Sequence, residues 1–248
     1  EINFIYVNIL INCDFYILKP WYQIPIVDNN EKLISIPSEI DFIEPHPYLA
    51  LGAPYKSRRR IWSLREGVVS RLVRANNYLK SIQNNYSLIL YDSWRPIEVQ
   101  SYMFYLAFES ECKKRGLEFQ SNKIDSYPEI IKEVEKFWAY PSFDEKCPPP
   151  HTTGGAIDLA IADSSGNLID MGCDIDYMDI SASPEFYKDR NSKESMIWDD
   201  RRNLLKQVML KFEFVQHPNE WWHFSYGDQL WAWTNQNRKA IYGKAVAN

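Results

Sequence analysis

The chain has 248 residues, 45% of them apolar and 25% charged, which suffices for a sizeable buried core and excludes a mainly disordered polypeptide. Its 28 basic and 33 acidic residues leave a net charge of −5, without the basic excess that a nucleic-acid-binding surface needs. No stretch reaches the roughly 18 apolar residues of a membrane span.

Residues 1–18 are rich in Ile, Phe and Tyr, but Asn3, Asn8, Asn12 and Asp14 break the run. A secretion signal needs a basic start and an unbroken apolar stretch. The segment therefore reads as a strand or loose extension of open role, and the folded domain is expected over 19–248. Six prolines between 19 and 57 point to an irregular or short-strand approach, and Arg58-Arg59-Arg60 to the solvated start of a helix. Ser63-Leu64-Arg65-Glu66 matches a capping box, in which the Ser oxygen and the Glu carboxylate satisfy open N–H groups reciprocally. Leu64, Val68, Leu72, Ala75 and Leu79 then repeat at helical spacing, predicting a helix over 63–82.

A strand over Ser87–Tyr91 precedes Asp92-Ser93-Trp94-Arg95-Pro96, where Pro96 suits the first position of a helix and keeps Arg95 extended. That helix covers 97–115 and stops at Gly116, and another covers 128–138. Pro148-Pro149-Pro150 fixes an extended approach to residue 151. Gly155–Ala162 alternates as a strand, with Ala156, Asp158 and Ala160 on one face. Ser164–Asn167 reads as a turn after which Leu168–Met171 pairs back. A helix follows over 199–211 and a strand over 220–226. Helices mixed with strands, without a βαβ rhythm, favour an α+β fold: a single domain with a central antiparallel sheet flanked by helices.

The four cysteines, Cys13, Cys112, Cys147 and Cys173, form no C-x-x-C pair, which excludes a zinc ribbon or a thioredoxin-like motif. A chain of this length needs no staples, so free thiols are the expected state. Histidine is scarce, at His46, His151, His217 and His223. Two segments concentrate chemistry: His151-Thr152-Thr153-Gly154-Gly155-Ala156-Ile157-Asp158 and Glu220-Trp221-Trp222-His223. An acid inside an apolar strand is costly to bury unpaired, and the small neighbours of Asp158 leave space beside it. A straight strand would put His151 on the opposite face, but Gly154 and Gly155 let the chain bend it back. Two imidazoles and a carboxylate suit a catalytic zinc site, which keeps its fourth position open, and a further carboxylate suits a general base. His46, between two prolines, reads as a loop residue, and His217, before Pro218, as a bystander to the site strand.

The pattern H-x-x-G-x-A-x-D, followed about 60 residues later by E-x-x-H, resembles the D-alanyl-D-alanine dipeptidases. These are zinc peptidases of the vancomycin-resistance type, related to D,D-carboxypeptidases and to the Hedgehog signalling domain. The double Trp before His223 is typical of the dipeptidase branch, and Asp92–Pro96 resembles the family's arginine motif. The resemblance implies one zinc ion, Zn²⁺, held by His151, Asp158 and His223 in a cleft, with Glu220 as catalytic base and Arg95 stabilising the oxyanion. It also implies that Asp176 receives the free amino group of the substrate, with Asp174 and Asp179 as neighbouring competitors. One position departs from the pattern. Family members commonly carry Ser two residues before the first His ligand, where it helps hold substrate; here Pro149 offers no donor, and Thr152, Thr153 or a backbone N–H would have to substitute.

These features imply hydrolysis of D-Ala-D-Ala, or a similar small dipeptide, in bacterial cell-wall peptide metabolism. The partner is then a small peptide, with no nucleic acid or membrane involved, and the cytoplasm is favoured over the periplasm. Two other readings stay open: a D,D-carboxypeptidase or endopeptidase acting on longer peptidoglycan peptides, and a non-catalytic module with a structural zinc.

Overall fold

Two stretches rich in Leu, Ile and Ala build the middle of the protein, because side chains on both of their faces are buried. In the computed structural model, which describes residues 19–57 and 60–246, they are strands β4 (Tyr86–Asp92) and β5 (Ala156–Asp163). The other strands are β1 (Leu33–Ser35), β2 (Asp41–Phe42), β3 (Ser63–Arg65), β6 (Val215–Gln216) and β7 (His223–Ser225). The helices are α1 (Pro47–Ala50), α2 (Glu66–Ile82), α3 (Ile97–Lys114), α4 (Pro128–Val134), α5 (Lys193–Lys211) and α6 (Gln229–Thr234). The expectations for residues 1–18, for Cys13 and for Arg58 and Arg59 lie outside the described residues.

The main sheet has five strands in the order β2-β4-β5-β7-β6. Its pairs β4–β5, β5–β7 and β6–β7 are antiparallel, as the α+β reading requires, while the edge strand β2 runs parallel to β4. Strands β1 and β3 form a separate antiparallel pair. Val68, Leu72 and Leu79 of α2 and Leu205, Val208 and Met209 of α5 share one core with Leu88, Leu90, Ile157, Leu159 and Phe224 of the sheet. Each fully buried Leu, Val or Phe there contributes about 1.5–3 kcal/mol relative to exposure. A second cluster joins α3 and α4 through Phe104, Phe108, Ile130, Ile131 and Val134, and ends in Tyr48 and Trp138. Among the described residues, no helix is long and apolar enough to cross a membrane.

Several boundaries differ from the sequence expectation. The capping box does not form: Ser63–Arg65 is strand, and α2 begins at Glu66 without a side-chain cap from its own N-cap residue. A ladder to β1 satisfies these residues instead, and the Gly67 N–H at the helix start donates to Glu31 Oε2 at 2.8 Å. Helix α5 starts six residues earlier than its apolar periodicity, because Ser192 caps it by accepting from the Ser195 N–H. Strand β7 is shorter than 220–226, since the Trp221 N–H leaves the sheet to bond the Ala182 carbonyl. Helix α4 ends at Val134, four residues short. Residue 151 sits in a 3-10 turn, Pro150–Thr153, rather than an extended approach. Cys112 and Cys173 are free thiols as expected, whereas Cys147 is disulfide-bonded.

Asn76 ties α2 to the sheet. Its side-chain amide donates to the Glu39 carbonyl at 2.9 Å and accepts from the Leu88 N–H at 2.9 Å, in a position that is 1% exposed. Asn76→Ala leaves the buried Leu88 N–H without a partner, at a cost of about 1–3 kcal/mol, and takes a donor from the part-buried Glu39 carbonyl. The expected result is a loss of about 2–4 kcal/mol, read as a lower urea midpoint at unchanged slope.

Candidate active site

The sheet register assembles the site. Asp158 on β5 pairs with His223 on β7 and with Asp92 on β4, so three polar residues from three adjacent strands stand on one rung. The register of β4 against β5 shifts between Leu90 and Asp92. This irregularity lets Asp92, rather than Tyr91, stand opposite Asp158, the kind of re-aiming that β-bulges produce beside active sites. His151 reaches the same rung through the glycine bend. Gly154 has φ +72°, and a Cβ there would lie 2.5 Å from Leu33, while a Cβ on Gly155 would lie 2.6 Å from the Tyr226 carbonyl oxygen.

The atoms that meet are His151 Nε2, His223 Nδ1 and the Asp158 carboxylate. The two ring nitrogens are 3.2 Å apart, and they lie 3.2 Å from Asp158 Oδ2 and 3.1 Å from Oδ1 respectively. Zinc bound tetrahedrally at 2.0–2.1 Å spaces its ligands by about 3.3 Å. The buried Asp158 Oδ1 has no hydrogen-bond partner despite its neighbour at 3.1 Å, which is how an anion lone pair waiting on a cation behaves. These three residues are thus able to hold a metal ion. Their outer atoms are fixed too: His151 Nδ1 donates to the Ser93 carbonyl at 2.8 Å, leaving Nε2 as a lone-pair donor, and His223 Nε2 meets Ser225 Oγ at 3.3 Å.

Asp92 and Arg95 form the neighbouring wall. The Arg95 Nε and Nη2 groups donate to Asp92 Oδ2 at 2.9 and 2.6 Å, Nη1 donates to Gln100 Oε1, and Nη2 reaches Tyr48 Oη at 3.2 Å. Four of the five guanidinium N–H groups are so engaged, leaving one on Nη1. Burial opposes the charge on Asp92, yet Arg95 and His46 together hold its carboxyl below the usual range. His46, expected to be a loop bystander, is 1% exposed and bonds Asp92 Oδ1 through Nε2 at 3.2 Å.

Glu220 is 5% exposed, 3.5 Å from His223 Nδ1 and 3.5 Å from His217 Nδ1. Burial and the charge of Asp158 raise its proton affinity well above that of a free carboxyl, with Lys19 opposing. Asp176 lines the same cavity, which Asp174 and Asp179 do not. It accepts from the Tyr48 hydroxyl at 3.0 Å, and burial and then Asp158 push its carboxyl up to about 7. Lys19, Trp21, Trp138 and Trp222 also line the cavity. Pro149 is absent from the lining, whereas Pro150 is present.

The residues expected from the sequence at the site, His151, Asp158, His223, Glu220, Arg95 and Asp176, therefore line one cavity. Sequence reasoning missed Tyr48, His46 and Lys19 and gave Asp92 no role. Only Asp92 had a local signal, three residues before Arg95 in the same motif.

A family profile described as D-ala-D-ala dipeptidase matches residues 41–241. A curated D-alanyl-D-alanine dipeptidase from Synechocystis sp. is 38% identical over 234 residues, 92% of this chain and 94% of that protein. The chain belongs to the D-Ala-D-Ala dipeptidase family. Two solved structures are similar at low identity. One is a vancomycin-resistance D,D-pentapeptidase VanY in complex with Zn(II), at 16% identity and TM-score 0.42, covering 83% of this chain and 88% of that one. The other is the LdcB LD-carboxypeptidase, at 14% identity and TM-score 0.41, covering 85% and 76%.

In this dipeptidase-family chain the segment carrying Asp176 is held from below by Arg202, which is 2% exposed. Its guanidinium donates to the carbonyls of Met171, Ser181 and Ser183 and lies 3.3 Å from Cys173 Sγ. Asp176 itself has φ +65°, a left-handed conformation that Asp tolerates better than most residues. Arg202→Met takes a charged donor from three carbonyls at once, those of Ser181 and Ser183 keeping one other donor each. Amide hydrogen exchange over 171–183 is expected to accelerate by at least about 10-fold, on a cost of 1–3 kcal/mol per lost partner, while α2 keeps its protection.

Proposed function

We propose that this protein hydrolyses D-Ala-D-Ala, or a similarly small D,D-dipeptide, in a zinc-dependent reaction within bacterial cell-wall peptide metabolism. One observation carries the reading: a triad able to hold a metal, a buried glutamate, a guanidinium with one N–H to spare and a half-buried aspartate all line a single cavity. The name of the Synechocystis relative supports the choice of substrate.

Zinc held by His151, Asp158 and His223 would supply a water of lowered pKa, near 7, and polarise the scissile carbonyl. Glu220, beside His223, takes a proton from the attacking water and returns it to the leaving amine. Its raised proton affinity suits both halves of that transfer. Arg95 turns its remaining N–H toward the oxygen on which negative charge develops, and its bonds to Asp92 and Gln100 keep it oriented before the reaction begins. Asp176 takes the substrate ammonium, and the Tyr48 hydroxyl orients its carboxylate. A free amine is then a condition of binding, since a blocked one would leave a half-buried carboxylate without a counter-charge.

The direct test is amino-acid release by zinc-loaded protein from D-Ala-D-Ala and from its N-acetylated form. Cleavage of the free dipeptide alone is expected; cleavage of the acetylated peptide would favour a carboxypeptidase on longer chains and remove the role given to Asp176. A chelator should abolish turnover, and added zinc should restore it. Glu220→Gln is expected to retain one zinc per chain by metal analysis while kcat falls by about 10²–10⁴-fold. Asp176→Asn, which keeps the left-handed backbone, should act mainly on KM, and an unchanged KM would remove its assignment.

A further inference from the structure

We infer that Lys19 is the group that binds the substrate's C-terminal carboxylate, taking over a task for which Pro149 offers no donor. The inference rests on the dipeptidase reading above.

The argument starts from an uncommitted cation. Lys19 lines the cavity together with Glu220 and His217. Among the described residues its ammonium makes no ion pair or hydrogen bond, and its Nζ lies 5.3 Å from the centre of the Trp21 ring. A half-buried ammonium without a partner is still partly stripped of water, at a cost. Burial lowers its proton affinity, against the attraction of Glu220 and Glu135. The neighbouring Trp21 is 6% exposed and also lines the cavity, and its indole N–H is buried without an acceptor. Two donors on one turn of chain therefore lack acceptors. Arg95, the other cation of the cavity, is already committed to Asp92 and Gln100.

The chemistry of the substrate points to the same place. In a dipeptide the leaving amine and the C-terminal carboxylate are attached to one Cα. If Glu220 protonates that amine, the carboxylate must fall beside Glu220, which is where the charge of Lys19 is felt most among the carboxylates. The ammonium end is left to Asp176, which is bonded to Tyr48, as Tyr48 is to Arg95. A cation and an anion lining the same cavity as the triad match the two ends of a free dipeptide. A donor set of this kind selects the carboxylate over a neutral amide.

The test compares ligands that differ only at that group. Calorimetric titration of D-alanine and D-alaninamide into zinc-loaded wild type, Lys19→Met and Lys19→Arg reads the preference without requiring turnover. Wild type is expected to favour the acid, and Lys19→Met to lose about 10- to 100-fold of that preference, the worth of a charge-assisted hydrogen bond. Lys19→Arg should recover most of it. With D-Ala-D-Ala as substrate, the same loss should appear in KM with little change in kcat. The assignment is overturned if wild type does not distinguish acid from amide, or if Lys19→Met keeps the preference. It is equally overturned if the variant lowers kcat and displaces its pH profile at constant KM, which would make Lys19 a tuner of Glu220. Failure of the dipeptidase reading shows separately, as wild-type protein that prefers D-alanine but does not cleave D-Ala-D-Ala.

Discussion

Everything at the site depends on one rung of the sheet. Asp92, Asp158 and His223 stand side by side on β4, β5 and β7, so two carboxylates are buried as immediate neighbours. Like charges so placed repel and desolvate each other at a cost of several kcal/mol. The fold tolerates them because the Arg95 guanidinium lies against both acids, with the His151 ring wedged between them. Arg95 Nη2 lies 2.6 Å from Asp92 and 3.6 Å from Asp158, and the His151 ring lies 3.3 Å from Asp92 through Nδ1 and 3.2 Å from Asp158 through Nε2. The guanidinium is therefore also what lets the rung exist. A one-residue slip between β5 and either neighbour would turn Asp158 to the other face and disperse the cluster, so register, electrostatics and catalytic geometry are one constraint.

The burden is divided between rigid and irregular parts of the chain. Asp158 and His223 belong to strands, and His151 to a tight turn whose other ring nitrogen is pinned by the Ser93 carbonyl. The three groups able to hold a metal ion are thus placed where backbone ladders and a tight turn fix them. The walls come from elsewhere: the turn after Lys19, the Phe137–Ala139 segment and the loop bearing Asp176. Loops on a fixed scaffold can change substrate preference without disturbing the metal geometry. Arg202 limits that freedom under Asp176 by bonding three carbonyls of one loop, so this wall is a loop in name but is braced nearly as well as the strands.

The sequence was most legible where the signal is local. Gly154 and Gly155 announced the bend that returns His151 to Asp158, and the alternation of small residues around Asp158 announced a strand with space on one face. The 3.6 period of α2 and the Gly116 stop of α3 were equally local. Where a distant partner decides, local pattern misled. Ser63 and Glu66 have the spacing of a capping box, but a ladder to β1 and the carboxylate of Glu31 satisfy those amides instead. His46 looked like a bystander because its partner, Asp92, is 46 residues away. Tyr48 bonds a carboxylate 128 residues further on. Nothing in the surrounding residues encodes such pairs; the packing of α1 against the strand ends creates them.

The balance of charge in the cavity explains why its parts come as a set. Among the carboxyl groups of the cavity, Asp158 and Glu220 are buried and Asp176 half-buried, and the proton affinities of Asp176 and Glu220 are raised by desolvation and by Asp158. The protein alone supplies Arg95, which Asp92 already claims, and Lys19. In the reaction proposed above, a divalent cation on the triad would offset the charge of Asp158, an ammonium at Asp176 the second, and the proton that Glu220 would acquire the third. The site is thus least satisfied when vacant and best satisfied part-way through peptide hydrolysis. Preorganised charge of this kind favours the transition state over the ground state, and it discriminates by the charges at the two ends of a ligand more than by the shape between them.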